Sequence, residues 1–447
     1  MRTRSHGSWL LLASIALLIN FTTPETRAGS LETIQSTINR LLKRPGVRSA
    51  YWGIEIIDPA TNQVLFSVNP DKPFLPASVL KVVTTSAAVE KLGPDFRFRT
   101  GVYLRGGMGE NGTVHGDLIL VGRGDPNLTD PYGELLDKPA FTELAEKLKE
   151  LGIKEIHGDV LGDESYFENT VGDKGWSAYE LRSIYGAPIS ALSIHNNVFC
   201  IEVRPTKYRQ PVAVSMEPRT SYYRIRNLAI TGRARAKQSI NIRLNRGSKT
   251  IVVSGVLPAN RYHNQWIVME KPAEVAAYML KEELQKLGVS VLGNAGMISA
   301  RDVYENERRQ WKLLAQHLSP PLIRALEIIN KRSQNLHAEM LLRTLGAEFK
   351  GRGTNEAGLQ VVKEFLVEAG IDSDKIRLED GCGLSRENLL TPRFQTSLLE
   401  FLSRRPYFNL FLNTLAVSGT DGTLKNRLTS TEVKGSIYAK TGTLNGV

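Results

Sequence analysis

The sequence has only two cysteines among its 447 residues, Cys200 and Cys382, and they lie far apart. Neither these cysteines nor the seven histidines show the spacing of a metal site, and no histidine belongs to a recognisable triad. The sequence therefore predicts no metal and no cofactor. In an oxidising compartment the two thiols could form a disulfide, whereas the apolar, strand-like surroundings of Cys200 favour two separately packed residues.

Long apolar runs and clusters of one charge are also missing from the body of the chain. Beyond the N-terminus no stretch approaches transmembrane length, and no clustered run of Lys and Arg indicates a nucleic-acid partner. With 41% hydrophobic and 23% charged residues, the composition is that of a soluble globular protein of about two to four units. The formal net charge of +11 suits peripheral association with an anionic envelope surface, and a simple contribution to solubility is the alternative explanation.

The N-terminus carries the one apolar block of the sequence. MRTRSHGS contains Arg2 and Arg4, WLLLASIALLINF follows it, and small or short residues surround Ala28. This order predicts a secretory signal peptide over residues 1–28, with an uncleaved membrane anchor as the alternative. We therefore expect export to the periplasm, the cell envelope or the extracellular space.

Alternating and helical patterns predict a β-hairpin followed by a helix after this segment. YWGIEIID and QVLFSVN are typical of strands joined by the turn PATN, and PASVLKVVTTSAAVEKLG is typical of a helix that ends at Gly93. The chain becomes helical again after residue 317 and closes on a strand-like stretch, EVKGSIYAKTGTLNGV. This order predicts an α+β domain formed by residues 29–97 and 318–447 and split by a long insertion.

The insertion differs from the flanking segments in its sequence pattern. Short strand-like runs such as GDLILVG and TIVVSGVL alternate with loops and a few helices. We expect one or two smaller α/β or β-rich domains here. Residues 98–190 together with 256–317 are predicted to form the first, and residues 191–255 a second, β-rich one.

Within PASVLKVV, Ser78 precedes Lys81 by three positions in an otherwise apolar run. On a helix both side chains lie on one face and within reach of each other. Burying an ammonium is costly unless it is paired or loses its proton, and a neutral lysine can act as the base that activates a serine nucleophile. The motif alone is weak, because a capping serine beside a lysine that reaches for solvent gives the same pattern.

Two further motifs follow in an order that serine acyl-transfer enzymes share. An SxN motif occupies residues 333–335 in a helix-rich stretch, and a KTG motif occupies residues 440–442 in the last strand-like run. A rival SxN motif occurs at residues 239–241. There the serine and the asparagine alternate along a strand and would share a solvent-facing side, so we interpret that motif as structural.

The complete set resembles the low-molecular-mass class C penicillin-binding proteins, the D-alanyl-D-alanine carboxypeptidase/endopeptidase family with large inserted domains. The matching stretches are KPFLPASVLKVVTTSAA, GRGDPNLT, DGCGLSRENLLTP, VSGTDGTL and KTGTLNGV. The resemblance implies a β-lactamase/transpeptidase-like domain with an antiparallel sheet flanked by helices. The long gap between Ser78 and Ser333 suits the inserted domains of this family and is too wide for a class A β-lactamase. Cys382 departs from the family pattern, which usually has serine there.

The resemblance also implies catalytic roles. Ser78 would attack the carbonyl between two terminal D-alanines, and Lys81 would accept its proton. Ser333 would relay a proton to the leaving amine, and Asn335 would bind the substrate amide or Lys81. The backbone N–H groups of Ser78 and Thr443 would form the oxyanion hole.

Substrate-binding roles follow in the same way. Lys440 would supply positive potential, and together with Thr441, Gly442 and Thr443 it would hold the free carboxylate of the substrate. Asp163 lies in GDESYF, which resembles a family segment whose acidic residue approaches the active site. It would bind the amino group of a diamino acid in the stem peptide, and an acidic loop on a solvated surface is the alternative.

The sequence therefore predicts an exported serine-type D-Ala-D-Ala carboxypeptidase, with DD-endopeptidase activity as a second expectation, that acts on peptidoglycan stem peptides and is inhibited by β-lactams. Two alternatives stay open: a β-lactamase-like hydrolase, for which no deacylating glutamate can be placed, and a catalytically impaired cell-wall-binding protein. The latter rests on the expectation that the family's last strands and helix are missing. Their absence would leave the KTG strand without an antiparallel partner and impair stability and activity.

Overall fold

The structure is a computed structural model that describes residues 27–168, 175–177, 179–245, 247–298 and 308–444. The predicted signal peptide lies outside these residues, except for its last two positions. No helix in the described part of the chain is both long and apolar enough to cross a membrane.

The described residues form two compact units. The first draws on Met1–Phe96, Asp173–Trp176 and Pro321–Val447, and the second on Arg97–Gly172 and Ser177–Pro320. The second unit therefore interrupts the first in sequence. The further division of the insertion at residues 191 and 255 stays a prediction.

The first unit opens with helix α1 (Arg27–Leu42) and an antiparallel hairpin of β1 (Ile54–Asp58) and β2 (Gln63–Val68). Helix α2 (Leu80–Leu92) follows, and it ends where Gly93 adopts a φ of 82°, a left-handed value that suits glycine. The hairpin and the C-terminal stop of the helix are confirmed.

Strands dominate the second unit. In chain order they are β3 (Arg99–Met108), β4 (Thr113–Gly122), β5 (Glu155–Ile156), β6 (Val160–Asp163), β7 (Val198–Arg204), β8 (Ala213–Glu217), β9 (Arg224–Gly232), β10 (Asn241–Leu244), β11 (Thr250–Pro258), β12 (His263–Val268), β13 (Ser290–Val291), β14 (Ala295–Met297) and β15 (Lys312–Leu318). Its helices are α3 (Ala140–Glu150) and α4 (Pro272–Lys286).

These strands form three sheets among the described residues. Strands β3 to β6 and β13 to β15 make one mixed sheet, in which β3 pairs antiparallel with both β4 and β15. The orders β12-β7-β8 and β10-β11-β9 define two smaller sheets. One apolar core contains side chains from all three sheets, such as Leu120, Ile201 and Ile251, and from α4, such as Leu280. The region predicted as a second inserted domain thus shares its core with the rest of the unit.

The chain re-enters the first unit at Pro321, next to Phe96, the residue at which it left that unit. The backbone N–H of Leu322 donates to the carbonyl of Phe96 at 2.7 Å, and that of Ile323 donates to the carbonyl of Pro94 at 3.1 Å. The helices that follow are α5 (Leu322–Arg332), α6 (Asn335–Lys350), α7 (Asn355–Glu368), α8 (Pro392–Ser403) and α9 (Phe408–Leu412). Helix α2 packs against α5, α6 and α7. Small and apolar side chains around α2 let it be buried from Leu80 to Val89.

The first unit closes on two short strands, β16 (Ala416–Val417) and β17 (Tyr438–Ala439), which pair antiparallel. The expectation that the KTG strand lacks an antiparallel partner is wrong, because β16 provides one. That partner is only two residues long, and so short a strand leaves no alternating pattern in the sequence.

Candidate active site

Ser78 lies on a strained turn directly before α2. Its neighbour Ala77 adopts a φ of 48°, in the left-handed region that residues with a Cβ rarely occupy. Ala77–Val79 form a single 3-10 turn, and the α-helix begins only at Leu80. Ser78 therefore lies on this turn rather than on the predicted helix. A backbone outlier of this kind costs about 1–3 kcal/mol and persists only where the surrounding structure enforces it.

Two glycines bring other segments against this turn. A Cβ added to Gly383 would lie 1.8 Å from the carbonyl oxygen of Ala77, and one added to Gly442 would lie 2.7 Å from that of Pro76. Both distances are far below van der Waals contact. The backbones at Gly383 and at the KTG motif therefore pack on the turn more closely than any other residue would permit.

Lys81 is fully buried, and its Nζ donates hydrogen bonds to three oxygens. They are Ser78 Oγ at 2.9 Å, Asn335 Oδ1 at 2.7 Å and the backbone carbonyl of Cys382 at 2.7 Å. Burial lowers the pKa of Lys81, and the nearby carboxylates of Asp380 and Glu339 oppose that shift. The three direct partners are neutral, so an uncharged amine is accommodated here as well as an ammonium.

The SxN motif occupies the junction between α5 and α6. Ser333 caps α5 in a left-handed conformation, with φ 59° and ψ 42°, and α6 begins two residues later at Asn335. This tight reversal aims the two side chains at different lysines. Ser333 Oγ accepts from Lys440 Nζ at 2.9 Å, whereas Asn335 Oδ1 accepts from Lys81.

The KTG motif begins directly after β17. Lys440 is almost completely buried, and its Nζ also donates to the carbonyl of Thr441 at 2.7 Å. Burial, together with the charge of Lys81, holds the pKa of Lys440 well below its usual value. The hydroxyl of Thr441 donates to Thr423 Oγ1 at 2.9 Å, and Thr443 is exposed. Two buried lysines thus share one site, and the charge on each disfavours the charge on the other.

Sequence reasoning missed two buried acids that fix the position of the Cys382 carbonyl. Glu339 Oε1 accepts from the backbone N–H groups of Gly381 at 2.9 Å and of Cys382 at 2.8 Å. Asp380 accepts from the backbone N–H groups of Gly383 at 2.7 Å and Ser385 at 2.6 Å. A signal was present, because NLHAEMLLR places a glutamate in an apolar helical run just as PASVLKVV places a lysine.

Glu339, Asp380 and Cys382 also lie close enough together to suggest a metal site, with ligand atoms within 4.8 Å of one another. Their hydrogen bonds favour another interpretation. Besides its two backbone donors, Asp380 accepts from Trp176 Nε1 and Asn388 Nδ2, both at 2.9 Å. Burial raises the pKa of the Cys382 thiol well above its usual value, so this group stays protonated. Carboxylates saturated with N–H donors and a neutral thiol suit an anchored loop better than a cation site.

Asp163 lies in the second unit, at the end of β6, and is almost completely buried. Its carboxylate accepts from Arg308 Nη2 at 2.8 Å and from the backbone N–H of Ser165 at 2.9 Å. The alternative of an acid on a solvated loop is therefore wrong. Binding of a substrate amino group by Asp163 stays a prediction, and Arg308 would have to yield for it.

The rival SxN motif and the two cysteines agree with the interpretations made from the sequence. The rival SxN residues, Ser239 and Asn241, are both exposed in the second unit, as a structural motif requires. Cys200 and Cys382 are both buried and carry free thiols. Two separately packed residues, rather than a disulfide, are what the structure contains.

A serine and an SxN amide bonded to one buried lysine, with a second buried lysine bonded to the SxN serine, are typical of penicillin-binding proteins and serine β-lactamases. A model of the D-Ala-D-Ala carboxypeptidase 3 (S13) family matches residues 34–447, and the chain belongs to this family. It is a serine-type carboxypeptidase, as the motifs predicted.

Relatives cover nearly the whole chain. A D-alanyl-D-alanine carboxypeptidase of Actinomadura sp. (strain R39) is 33% identical over 93% of this chain and 77% of its own length. The D-alanyl-D-alanine carboxypeptidase DacB of Haemophilus influenzae is 30% identical over 86% of this chain and 78% of its own. The crystal structure of penicillin binding protein 4 from H. influenzae matches with a TM-score of 0.73 and 28% identity over 88% of this chain and 85% of that one. The predicted family and the transpeptidase-like fold are confirmed.

Adding one methyl group at Gly442 should abolish most of the activity without unfolding the protein. In Gly442→Ala the new Cβ must move away from the Pro76 carbonyl, which displaces the KTG backbone from the turn that carries Ser78. A displacement of about 1 Å can reduce the rate roughly 100-fold. The measurement is the rate of acylation by a fluorescent penicillin, with thermal unfolding followed in parallel.

Gly107→Ala is the matched control, because a Cβ at Gly107 meets nothing within 4 Å. It should acylate at the wild-type rate. Equal acylation rates of the two variants would show that the close approach at Gly442 does not affect acylation.

Proposed function

We propose that this protein hydrolyses the terminal D-Ala-D-Ala bond of peptidoglycan stem peptides through an acyl-enzyme on Ser78. The observation that carries the proposal is the 2.9 Å hydrogen bond between Lys81 Nζ and Ser78 Oγ, with the lysine entirely withdrawn from water. A base buried in this way can give up its proton and take another from the serine.

The first half of the reaction uses the groups around Lys81. The neutral amine accepts the Ser78 hydroxyl proton while Oγ bonds to the carbonyl carbon of the penultimate D-alanine. Asn335 Oδ1 and the Cys382 carbonyl hold the ammonium that results. The negative charge on the substrate oxygen is stabilised by the backbone N–H groups of Ser78 and Thr443, the oxyanion hole of this proposal.

The second lysine binds the substrate and completes proton transfer. The terminal carboxylate lies beside Lys440, Thr441 and Thr443, where its charge favours the protonated form of Lys440. Ser333 passes a proton to the leaving D-alanine amine and takes one from Lys440, to which it is bonded, so Lys440 becomes neutral. Water then attacks the acyl-enzyme and gives a proton through Ser333 back to Lys440, while the Ser78 oxygen leaves with the proton held by Lys81.

β-Lactams are proposed to acylate the same serine, because their strained amide and carboxylate occupy the positions of the D-Ala-D-Ala amide and carboxylate. The penicillin binding protein 4 of H. influenzae has been crystallised with a β-lactam, and that chain matches this one with a TM-score of 0.67 and 27% identity. DD-endopeptidase activity on cross-links would use the same machinery on a longer leaving group. We also propose that the protein acts after export, in the periplasm or the cell envelope.

Benzylpenicillin should modify Ser78 and no other residue. Mass spectrometry of the treated protein is expected to find one penicilloyl group on the peptide that contains Ser78, and release of D-alanine from a D-Ala-D-Ala peptide should fall at least about 10³-fold in Ser78→Ala. Ser239→Ala, in the rival motif, should retain full activity.

The persistence of the adduct separates the two enzyme hypotheses. Slow release of the penicilloyl group together with rapid peptide hydrolysis supports the carboxypeptidase, whereas rapid release indicates a β-lactamase. A label on a residue other than Ser78 would refute the roles assigned above.

Replacing Glu339 by glutamine should shift the pH profile of acylation to lower pH. Glu339→Gln keeps an oxygen that can accept the N–H groups of Gly381 and Cys382 but removes a buried negative charge. The pKa of Lys81, already lowered by burial, then falls further, so the neutral base is present at lower pH. The measurement is the acylation rate constant over about pH 5 to 9.

Glu339→Asp is the complementary variant, because it keeps the charge and shortens the reach to the loop. It should lower the rate at every pH and leave the midpoint of the profile in place. The other ionisable groups around this site are common to both variants, namely Asp380, Cys382, Lys440 and Arg343, which pairs with Glu339 at 3.4 Å. An unshifted midpoint in Glu339→Gln would contradict the electrostatic part of this account.

A further inference from the structure

The positive charge of this protein is concentrated in one short segment. Between Pro218 and Val268 the sequence contains ten Lys and Arg residues and no Asp or Glu, so this segment carries +10 of the formal net charge of +11. The rest of the chain is close to neutral. The segment contains the sheet of β9, β11 and β10 in the second unit.

Strand register divides the side chains of this sheet between two faces. Ala229, Ile242, Ile251 and Val253 alternate inward and belong to the apolar core. Their neighbours along each strand point outward, because successive side chains of a strand alternate. One face of the sheet is therefore fully used by the core, and the other is directed to solvent.

The outward face combines arginines with exposed aliphatic side chains. We call it the basic sheet face, and it consists of Arg224, Arg226, Leu228, Ile230, Arg243 and Val256. Arg226 lies beside Val252 of β11, which in turn lies beside Arg243 of β10, so the two arginines are in register with one strand between them. Leu228 and Ile230 continue the same side of β9 with 54% and 41% of their surface exposed.

In the part of the chain that the structure describes, no acid pairs with the arginines of this face. The nearest acids in sequence after the segment, Glu270 and Glu274, are engaged elsewhere: Glu270 accepts from the Gly247 backbone N–H, and Glu274 pairs with Lys249. Among the described residues no ion pair involves Arg224, Arg226 or Arg243, and the Nε of Arg243 donates only to the amide oxygen of Asn241. Three guanidinium groups with free donors are thus held on one rigid surface.

We propose that the basic sheet face docks on a bilayer surface rich in anionic phospholipids. Guanidinium groups bind phosphate oxygens in a bidentate manner, and clustered Arg and Lys residues are attracted to anionic lipids. The exposed aliphatic side chains next to them can enter the boundary between headgroups and acyl chains. A soluble polyanion would use the arginines and leave Leu228 and Ile230 exposed to water, so a lipid surface accounts for more of the face. This inference is independent of the chemistry at Ser78.

Cosedimentation of the chain from residue 29 onward, without the predicted signal peptide, with vesicles tests the proposal. Vesicles of phosphatidylcholine with about one third phosphatidylglycerol should bind the protein at low salt, and pure phosphatidylcholine vesicles should not. Arg224→Gln, Arg226→Gln and Arg243→Gln together should weaken binding roughly 100-fold. Leu228→Ser with Ile230→Ser should weaken it roughly tenfold while the charge is unchanged.

A second triple variant controls for total charge. Lys43, Arg44 and Arg48 are exposed in the first unit, and their replacement by glutamine removes the same charge from another place. That variant should bind like the wild type, and all variants should acylate normally with penicillin, which verifies folding.

Three results would overturn the proposal. The first is wild-type binding by the arginine variant, and the second is an equal loss in the Lys43, Arg44 and Arg48 control, which would make net charge the only determinant. The third is full competition by inorganic polyphosphate together with undiminished vesicle binding of the Leu228 and Ile230 variant. That result would assign the face to a polyanion rather than to a bilayer.

Discussion

A lysine amine without water is the constraint on which the first unit depends. Taking an ammonium, like any ion, out of solvent costs on the order of several kcal/mol unless other groups replace its hydration. At Lys81 that replacement comes from three uncharged oxygens, those of Ser78, Asn335 and the Cys382 carbonyl. A carboxylate in direct contact would have locked the proton in place. Neutral partners leave both protonation states accessible, which is what the proton transfer proposed for Lys81 requires.

Negative charge is present near Lys81, but the nearest carboxylates bond to backbone groups rather than to its amine. The carboxylate oxygens of Glu339 and Asp380 accept hydrogen bonds from backbone N–H groups of residues 381–385. That loop in turn presents the Cys382 carbonyl to the lysine. The same loop presses Gly383 against Ala77 and so helps to enforce the left-handed turn that carries Ser78. One anchored loop therefore sets both the position of Ser78, the proposed nucleophile, and the electrostatic environment of Lys81, the proposed base. Through this coupling the buried acids act on the chemistry proposed for the site.

Motif spacing predicted the members of this site, because SxxK adjacency is local and the SxN and KTG motifs accompany it in known enzymes. The sequence could mark Glu339 as a buried acid but not name its partners, which are backbone groups about forty positions away that only the fold brings near. The same reason hid strand β16, which is defined by pairing rather than by pattern. The basic sheet face was not predictable for another reason. Its arginines are separated in sequence by apolar residues, so no run of like charge exists until the strands align Arg226 with Arg243 across β11.

The second unit is inserted at a point where the first unit can close again, so the hydrogen bonds around Lys81 form despite the long interruption. Lys81 precedes the second unit in sequence, while Asn335 and Cys382 follow it, so their hydrogen bonds require the two halves of the first unit to meet closely. The backbone bonds from Leu322 to Phe96 and from Ile323 to Pro94 close the gap with short, local contacts. Within the second unit, the pairing of β3 with β15 likewise joins the departing and returning chain. Because both ends are tied, the entropic cost of the insertion grows only slowly with its length.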